Sequence, residues 1–452
     1  MSAGESARSQ GPPVIDPRPA YDDAPLRAFH LRIAAASTGG VFCDGFGLGI
    51  VGISLALATG PLGLTPWWLG LLAGASLAGL FVGALLTGPI ADQFGRRPIF
   101  AYNMAALGAL SALQFMATSA AQLLVLRLLI GFLLGTDYVV SKALLVEFVP
   151  RAFRGRILSL LSIAWAGGYA AAYFVGYALS SLESDAWRWM LLSSALPCLI
   201  VLPLRITLPE SPLWLATHGR PDQAAHVVRA TVGAQVAPPP PAPAPARRHG
   251  RWRELLSRRW IRRTLVGCGF FTFQVIPYFA VGTFVAPVMA ALHVAGGYAG
   301  GLIYNVALLL GAAIGLYVVD RIPRRRFLVG SFVLAAGAML ALTAADPSAS
   351  TVIVGLFALF AGVLSAASNL VYVYLPELFP TDLRASGIGM AIAASRVGSA
   401  VATFLLPVVV AAYGVRAALG ACVVVLIAGA AICQLWAPET RNAHLDEVPT
   451  SS

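Results

Sequence analysis

The chain has 452 residues, of which 58% are hydrophobic and 11% charged, against roughly 25% charged in an ordinary soluble domain. A water-soluble globule of this length cannot hide so much apolar surface, whereas at roughly 20 residues per crossing the chain can thread a bilayer twelve times. The net charge of +11 sits in short basic segments between apolar runs and not on one face of a soluble module, so nucleic acid is excluded as a partner.

A polar tail, 1–28, comes first, without the basic start and apolar stretch of a signal peptide. Helix-length apolar runs then occupy roughly 33–58, 67–91, 98–118, 123–147, 157–181 and 187–208, which makes 29–208 one six-helix bundle. A polar, Arg-rich central loop, 209–262, contains the Pro/Ala stretch 238–246, expected to be extended linker. Six more runs, at roughly 263–291, 298–319, 327–345, 351–375, 385–412 and 414–436, form a second bundle over 263–437, followed by a tail, 438–452. The fold class expected is an all-α membrane protein with twelve transmembrane helices in two halves.

Alternate loops carry the cations: Arg96 and Arg97, then Arg151, Arg154 and Arg156, then the central loop, then Arg321, Arg324, Arg325 and Arg326, then Arg384. The opposite loops, near 59–66, 118–122, 292–297 and 346–350, hold no Lys or Arg. Positive charge stays inside, so both termini and the central loop are expected to be cytoplasmic, in a multi-pass protein of the inner (plasma) membrane. The five cysteines show no CxxC spacing and read as small packing residues.

The Arg-rich loops repeat. Gly88-Pro-Ile-Ala-Asp92-Gln-Phe-Gly95-Arg96-Arg97 follows the second run, Glu147-Phe-Val-Pro150 with Arg154-Gly155 the fourth, and Pro209-Glu210-Ser211 the sixth. Asp320-Arg321-Ile-Pro-Arg324-Arg325, Glu377-Leu-Phe-Pro380 with Arg384, and Pro438-Glu439-Thr440 follow the eighth, tenth and twelfth. Asp92 and Asp320 are 228 residues apart, Glu147 and Glu377 230, Arg154 and Arg384 230, and Glu210 and Glu439 229. One offset for four pairs means duplication, and parallel six-helix repeats are an architecture used by alternating-access transporters.

These motifs resemble the major facilitator superfamily over nearly the whole chain. The sets Glu147…Arg154-Gly155, Pro209-Glu210-Ser211-Pro212-Leu213-Trp214-Leu215, Tyr374-Leu-Pro376-Glu377-Leu-Phe379-Pro380-Thr381 and Pro438-Glu439-Thr440 resemble the branch of sugar porters, phosphate symporters, aromatic-acid symporters and organic-ion transporters. The seventh helix, Phe270-Phe-Thr-Phe-Gln274-Val-Ile-Pro277-Tyr278, keeps only Gln274 of the paired glutamines of sugar porters. Gly135-Thr136-Asp137-Tyr138 is similar to the Gly-Gly-Asp-Tyr of phosphate symporters, but no acid on the seventh helix matches theirs. Asp44-Gly45-Phe46-Gly47 resembles the Asp-Gly-Phe-Asp of aromatic-acid symporters with Gly47 in place of the second acid. The resemblance implies a secondary active transporter of a small metabolite, working as a monomer with solute, protons and lipid as partners and no cofactor. It further implies that Asp92, Arg96, Arg97, Glu147, Arg154, Glu210, Asp320, Arg324, Glu377, Arg384 and Glu439 form a cytoplasmic gate. Headgroup contact and topology account for part of that set.

Ionisable side chains in hydrocarbon cost ~2.5–3.5 kcal/mol each, so each needs a partner or a wet cavity. Five stand out: Asp44, Arg127, Asp137, Lys142 and Arg396. With Arg127 at 0°, Tyr138 falls at roughly 20°, Lys142 at roughly 60° and Asp137 at roughly −80° on the helix. Asp137 therefore cannot easily pair with Lys142 and is expected to meet the first helix near Asp44. Asp44 and Asp137 are the proton-coupling candidates; the plainer alternative is permanent pairing, of Asp44 with Arg127 for instance. The five charges leave one positive, which favours an anion, and the resemblance places Arg396 where organic-anion relatives meet substrate with a cation. Arg127, Tyr138, Lys142, Trp165, Gln274, Tyr278, Asn305, Asn369, Tyr372 and Arg396 are the substrate-binding candidates, Tyr169 lies beside them, and a packing role is the alternative for each.

No Gly-rich loop precedes the single lysine, which excludes ATP hydrolysis, and no HExxH, GxSxG or histidine within an apolar run suggests an enzyme or a metal site. The expected function is proton-coupled symport of a small organic anion, a carboxylate or aromatic acid. Sugar or phosphate symport, and a non-transporting sensor on a transporter fold, remain open alternatives.

Overall fold

The computed structural model describes residues 18–182, 185–240, 252–292, 297–319, 321–379 and 381–440, and among these there is no strand. The first half comprises α1 (Ala28–Ala58), α2 (Pro66–Phe94), α3 (Arg97–Leu113), α4 (Ala120–Phe148), α5 (Arg151–Leu179) and α6 (Ala186–Ile206). The second half comprises α7 (Ile261–Thr283), α8 (Gly297–Val318), α9 (Arg324–Ala344), α10 (Ser350–Ala367), α11 (Thr381–Tyr413) and α12 (Val415–Trp436). Eleven of the helices are long and apolar enough to cross a membrane, and the 29-residue α5 stands between the fourth and sixth of the series.

Several helices overrun their apolar stretches at the Arg-rich end, because polar first turns are solvated at a membrane interface and need not be apolar. Hence α5 starts at Arg151 and α9 at Arg324. At the opposite end starts are set by caps: the Thr65 hydroxyl accepts from the Trp68 N–H ahead of Pro66, and Ser119 accepts from the Gln122 N–H. Two expected continuous helices are broken. After α7 the chain turns at Phe284 and resumes as Val285–Ala291, and after α10 it turns at Ser368 and Asn369 and resumes as Leu370–Glu377. His30, expected outside the apolar runs, is buried in the first turn of α1, where its Nδ1 accepts from the Arg27 N–H.

Packing repeats the duplication. In the first half α1 lies on α5 and α2 on α4, in the second α7 lies on α11 and α8 on α10, and the halves meet through α2 against α11 and α5 against α8. Shifting every helix number by six exchanges these contacts, as an axis between the halves requires. Small residues permit the close approaches: a Cβ at Gly52 of α1 would lie 1.5 Å from the Thr283 carbonyl oxygen of α7, and one at Gly70 of α2 2.2 Å from that of Phe404 in α11. The Trp67 ring stands edge-on against Phe404 at 4.7 Å. These contacts close the end of the molecule opposite the Arg-rich loops. Gly52→Val cannot keep that closure without moving backbone, a cost on the order of 1–3 kcal/mol. Solute exchange in proteoliposomes is expected to fall roughly 5- to 150-fold, while circular dichroism stays that of the wild type; unchanged exchange would show that the closed end is not part of the cycle.

The central loop is less of a linker than its composition suggests. Its described part carries two short helices, Pro212–Thr217 and Pro221–Thr231, and the Trp214 indole donates to the Asp92 carbonyl at 3.0 Å. The first tail is tied to the same structure: Tyr21 and Ala24 pack against Val228, Val232 and Val236, the Ala237 N–H donates to the Pro19 carbonyl, and Asp22 and Asp23 pair with Arg154 at 3.3 Å and Arg151 at 2.6 Å. Residues 241–246 of the Pro/Ala stretch lie outside the described residues.

Candidate functional site: a cavity between the halves

At the Arg-rich end the duplicated motifs perform duplicated tasks. The Glu210 carboxylate accepts from the N–H groups of Arg96 and Arg97 at 3.2 and 3.1 Å, capping α3; Glu439 accepts from those of Arg324 and Arg325 at 2.9 and 3.1 Å, capping α9. These acids satisfy donors that a helix start leaves open and sit at the positive end of its dipole. Arg96 pairs with Glu147 and, at 3.2 Å, with Asp92, while Arg324 lies 3.6 Å from Glu377. Each pair lies within one half. Arg154 of α5 is engaged by Asp22 of the tail and by the Val149 carbonyl, partners the motif did not disclose. Asp320 and the side chain of Arg384 lie outside the described residues.

Near mid-membrane a cavity opens between the halves, with about 580 Å³ of space unfilled by atoms, part of it open to solvent. The first half contributes Tyr138 of α4 and Trp165 of α5, and the second Phe271, Tyr278 and Phe279 of α7, Tyr372 beyond α10, and Arg396 of α11. The Lys142 ammonium stands 3.2 Å above the Tyr138 ring and 5.0 Å from that of Tyr372. The Arg396 guanidinium lies 5.5 Å from Tyr138, 5.8 Å from Phe271 and 5.7 Å from Phe279, close enough for cation–π attraction. Trp165 stacks on Tyr169 at 5.2 Å and meets Phe279 edge-on at 5.8 Å. Arg396 is thus a cation in a wall of rings, Lys142 of the other half stands against the Tyr138 ring without lining the cavity, and no carboxylate is among the described lining side chains.

The structure brings Tyr138, Trp165, Tyr278, Tyr372 and Arg396 together on the cavity wall as substrate-binding candidates, sets Lys142 beside the Tyr138 and Tyr372 rings, and does not place Lys142, Arg127, Gln274, Asn305 or Asn369 on that wall. The Gln274 amide donates to the Leu364 carbonyl at 2.9 Å and the Ser368 hydroxyl at 3.0 Å, Asn369 to the Ala312 carbonyl at 3.1 Å, and Asn305 to the Gly301 carbonyl at 2.8 Å. Gln274 and Asn369 thereby tie neighbouring helices together, whereas Asn305 bonds within α8. Arg127 reaches α1, donating to the Gly47 carbonyl at 3.3 Å.

The two acids differ. Asp44 is 2% exposed and neither carboxylate oxygen has a hydrogen-bond partner among the described residues; the expected alternative pairing with Arg127 is not formed, and the Arg127 Nε and Nη2 are equally unmatched. Asp137 lies against α1 as expected, where a Cβ at Gly40, one turn before Asp44, would stand 2.7 Å from its Oδ2, but Arg205 of α6 takes both of its oxygens, at 3.0 Å from Nη2 to Oδ2 and through a second, shorter contact from Nη1 to Oδ1. Arg205 went unrecognised because it lies at the end of an apolar run, where an Arg reads as a topology signal. With it the intramembrane charge leaves two positive instead of one. Phe271 and Phe279 were also missed, although Phe271, Val275 and Tyr278 recur at helical spacing.

This fold, two six-helix repeats around a central cavity, defines a secondary transporter of the major facilitator type. Residues 36–451 match the family model described as sugar (and other) transporter, and the chain belongs to that family. It is 40% identical to the inner membrane metabolite transport protein YgcS of Escherichia coli (strain K12) over 94% of this chain and 95% of that protein, and 34% identical to the putative metabolite transport protein YaaU of the same organism over 95% and 97%. The inward-open structure of the xylose transporter XylE from E. coli superimposes with a TM-score of 0.76 at 20% identity, over 93% of this chain and 99% of that one. The protein is a transporter of small metabolites or sugars.

Proposed function

We propose that the protein carries a small organic anion, a carboxylate or aromatic acid, into the cell together with protons, as a monomer in the inner membrane with both termini cytoplasmic. The observation that carries this reading is Arg396, a cation set among aromatic rings in a cavity whose described lining includes no acid, with Lys142 of the opposite half against the Tyr138 ring. A guanidinium engages a carboxylate through two N–H groups, and the rings offer faces to a flat solute. Binding an anion between the halves would draw both cations inward and favour closure over the solute. Asp44 supports the proton arm: a buried acid with no partner can take up and release a proton as its surroundings change.

A sugar is the second reading, favoured by the family, by the likeness to a xylose transporter, and by Ser162, Ser365 and Ser368 in the cavity wall. Purified wild-type protein is to be warmed with benzoate, nicotinate, short carboxylates, phosphate, xylose and glucose. Carboxylates are expected to raise the unfolding temperature, by roughly 2.7 kcal/mol of added stability at a hundred times Kd, and an inward pH gradient is expected to accelerate their uptake into proteoliposomes. A shift with sugars alone would replace the anion reading.

A further inference from the structure

Polar satisfaction separates the buried charges of the first half into two kinds. Among the described residues Asp44 and Arg127 have atoms without partners, whereas the Asp137 oxygens and the Arg205 nitrogens are all engaged. Both residues of the second group are wholly buried. The Arg205 Nε donates to the Ala36 carbonyl of α1 at 3.3 Å, Nη1 to the Phe100 carbonyl of α3 at 3.3 Å and to Asp137 of α4, and Nη2 to Asp137 and, at 3.2 Å, to the Ser141 hydroxyl. Ser141 donates in turn to Asp137 at 2.9 Å, and the guanidinium lies 3.9 Å from the Phe100 ring centroid. A single side chain on α6 therefore holds α1, α3 and α4.

We infer that Arg205 and Asp137 form a static ion-pair clamp that makes the first half move as one body, and that Asp137 carries no proton in the transport cycle. A carrier must change partners during the cycle, and a carboxylate whose two oxygens are held by a guanidinium, with Ser141 adding a further bond, cannot do so without stranding a buried cation. Alternating access by rocking requires each half to keep its shape, and a charge pair shared by four helices supplies that while leaving Asp44 free. Gly40 belongs to the same device, because a Cβ there would lie 1.5 Å from the Arg205 Nη2.

The proton arm of this inference rests on the symport reading; the clamp does not. Removing one member of a buried pair strands the other, whereas neutralising both removes the penalty. Arg205→Gln and Asp137→Asn are each expected to lower the yield of detergent-stable full-length protein by roughly tenfold or more, and the double variant to recover most of it. Gly40→Ala, which leaves every charge in place, is expected to destabilise the wild type and to have little further effect in the double variant, as coupled neighbours do. Single variants as stable as the wild type, or a Gly40→Ala effect of equal size in both backgrounds, would overturn the clamp. In proteoliposomes the double variant is expected to keep the pH profile of uptake and the accumulation driven by a pH gradient. Exchange without that accumulation would make Asp137 a carrier and overturn the second half of the inference. A wild type without any pH-driven uptake would sink the symport reading instead, and the stability comparison would still decide the clamp.

Discussion

Asp44→Asn is expected to abolish accumulation of solute against its gradient while leaving exchange of solute across the membrane. The argument is the cost of the site: a carboxylate 2% exposed, with no hydrogen-bond partner on either oxygen among the described residues, lies within a membrane helix where an unpaired charge costs ~2.5–3.5 kcal/mol on the lenient scale. Two events can relieve that cost, uptake of a proton or an approach by Arg127, whose Nη2 is unmatched and whose Nη1 already reaches α1 at Gly47, one turn beyond Asp44. Alternation between the two would couple proton release to movement of the half. Asn cannot ionise, so it freezes the first condition. Each unit of pH gradient is worth ~1.4 kcal/mol, so the wild type should hold solute at roughly ten times the outer concentration per unit and the variant at no more than equality. Radiolabelled uptake under an imposed gradient, beside counterflow in its absence, measures both. Uphill accumulation surviving in Asp44→Asn would remove this residue from the coupling path.

Much of the architecture was readable because duplication leaves a ruler in the chain. The common offset of 228 to 230 residues between loop motifs marks as equivalent residues that the structure puts to equivalent use: Glu210 and Glu439 cap α3 and α9, and Glu147 and Glu377 meet Arg96 and Arg324. The helical wheel of α4 correctly set Asp137 apart from Tyr138 and Lys142, since angles on one helix depend only on backbone geometry. It could not say what else lies opposite, and so it sets Asp137 against α1 without the α6 cation that pairs with it there. Arg205 has no local signature that distinguishes it from an interfacial arginine; its role follows from packing among helices distant in sequence. The polar amides Gln274, Asn305 and Asn369 misled for the same reason. In a membrane an amide can serve a helix carbonyl as readily as a solute's hydroxyl, and composition is blind to the choice. The short helices of the central loop were hidden by the Pro/Ala run beside them, although Trp214, Leu215 and Ala224 form a small apolar cluster of their own.

Arg396→Gln is expected to weaken binding of a carboxylate solute far more than it weakens the fold. Arg396 lies in the cavity wall with its Nε lacking a hydrogen-bond partner among the described residues, and the groups around its guanidinium there are the faces of Tyr138, Phe271 and Phe279, so its removal strands no described acid. A charge-assisted hydrogen bond contributes about 1.5–3 kcal/mol, which corresponds to a loss of affinity of roughly 10- to 150-fold. Lys142→Gln should act in the same direction from the other half. If the solute bridges the two cations, the effects of the two substitutions will not add, because losing either one releases the contact that draws the halves together. Titrations of the two single variants and the double, followed by intrinsic tryptophan fluorescence through Trp165, separate these cases. Co-entry of a proton would offset the charge of a monocarboxylate, so that its uptake need not work against a membrane potential worth ~2.3 kcal/mol per charge per 100 mV. A variant lacking both cations that still binds the transported solute with wild-type affinity would mean that the cavity selects for hydroxyls and rings, and the solute would then be a neutral sugar.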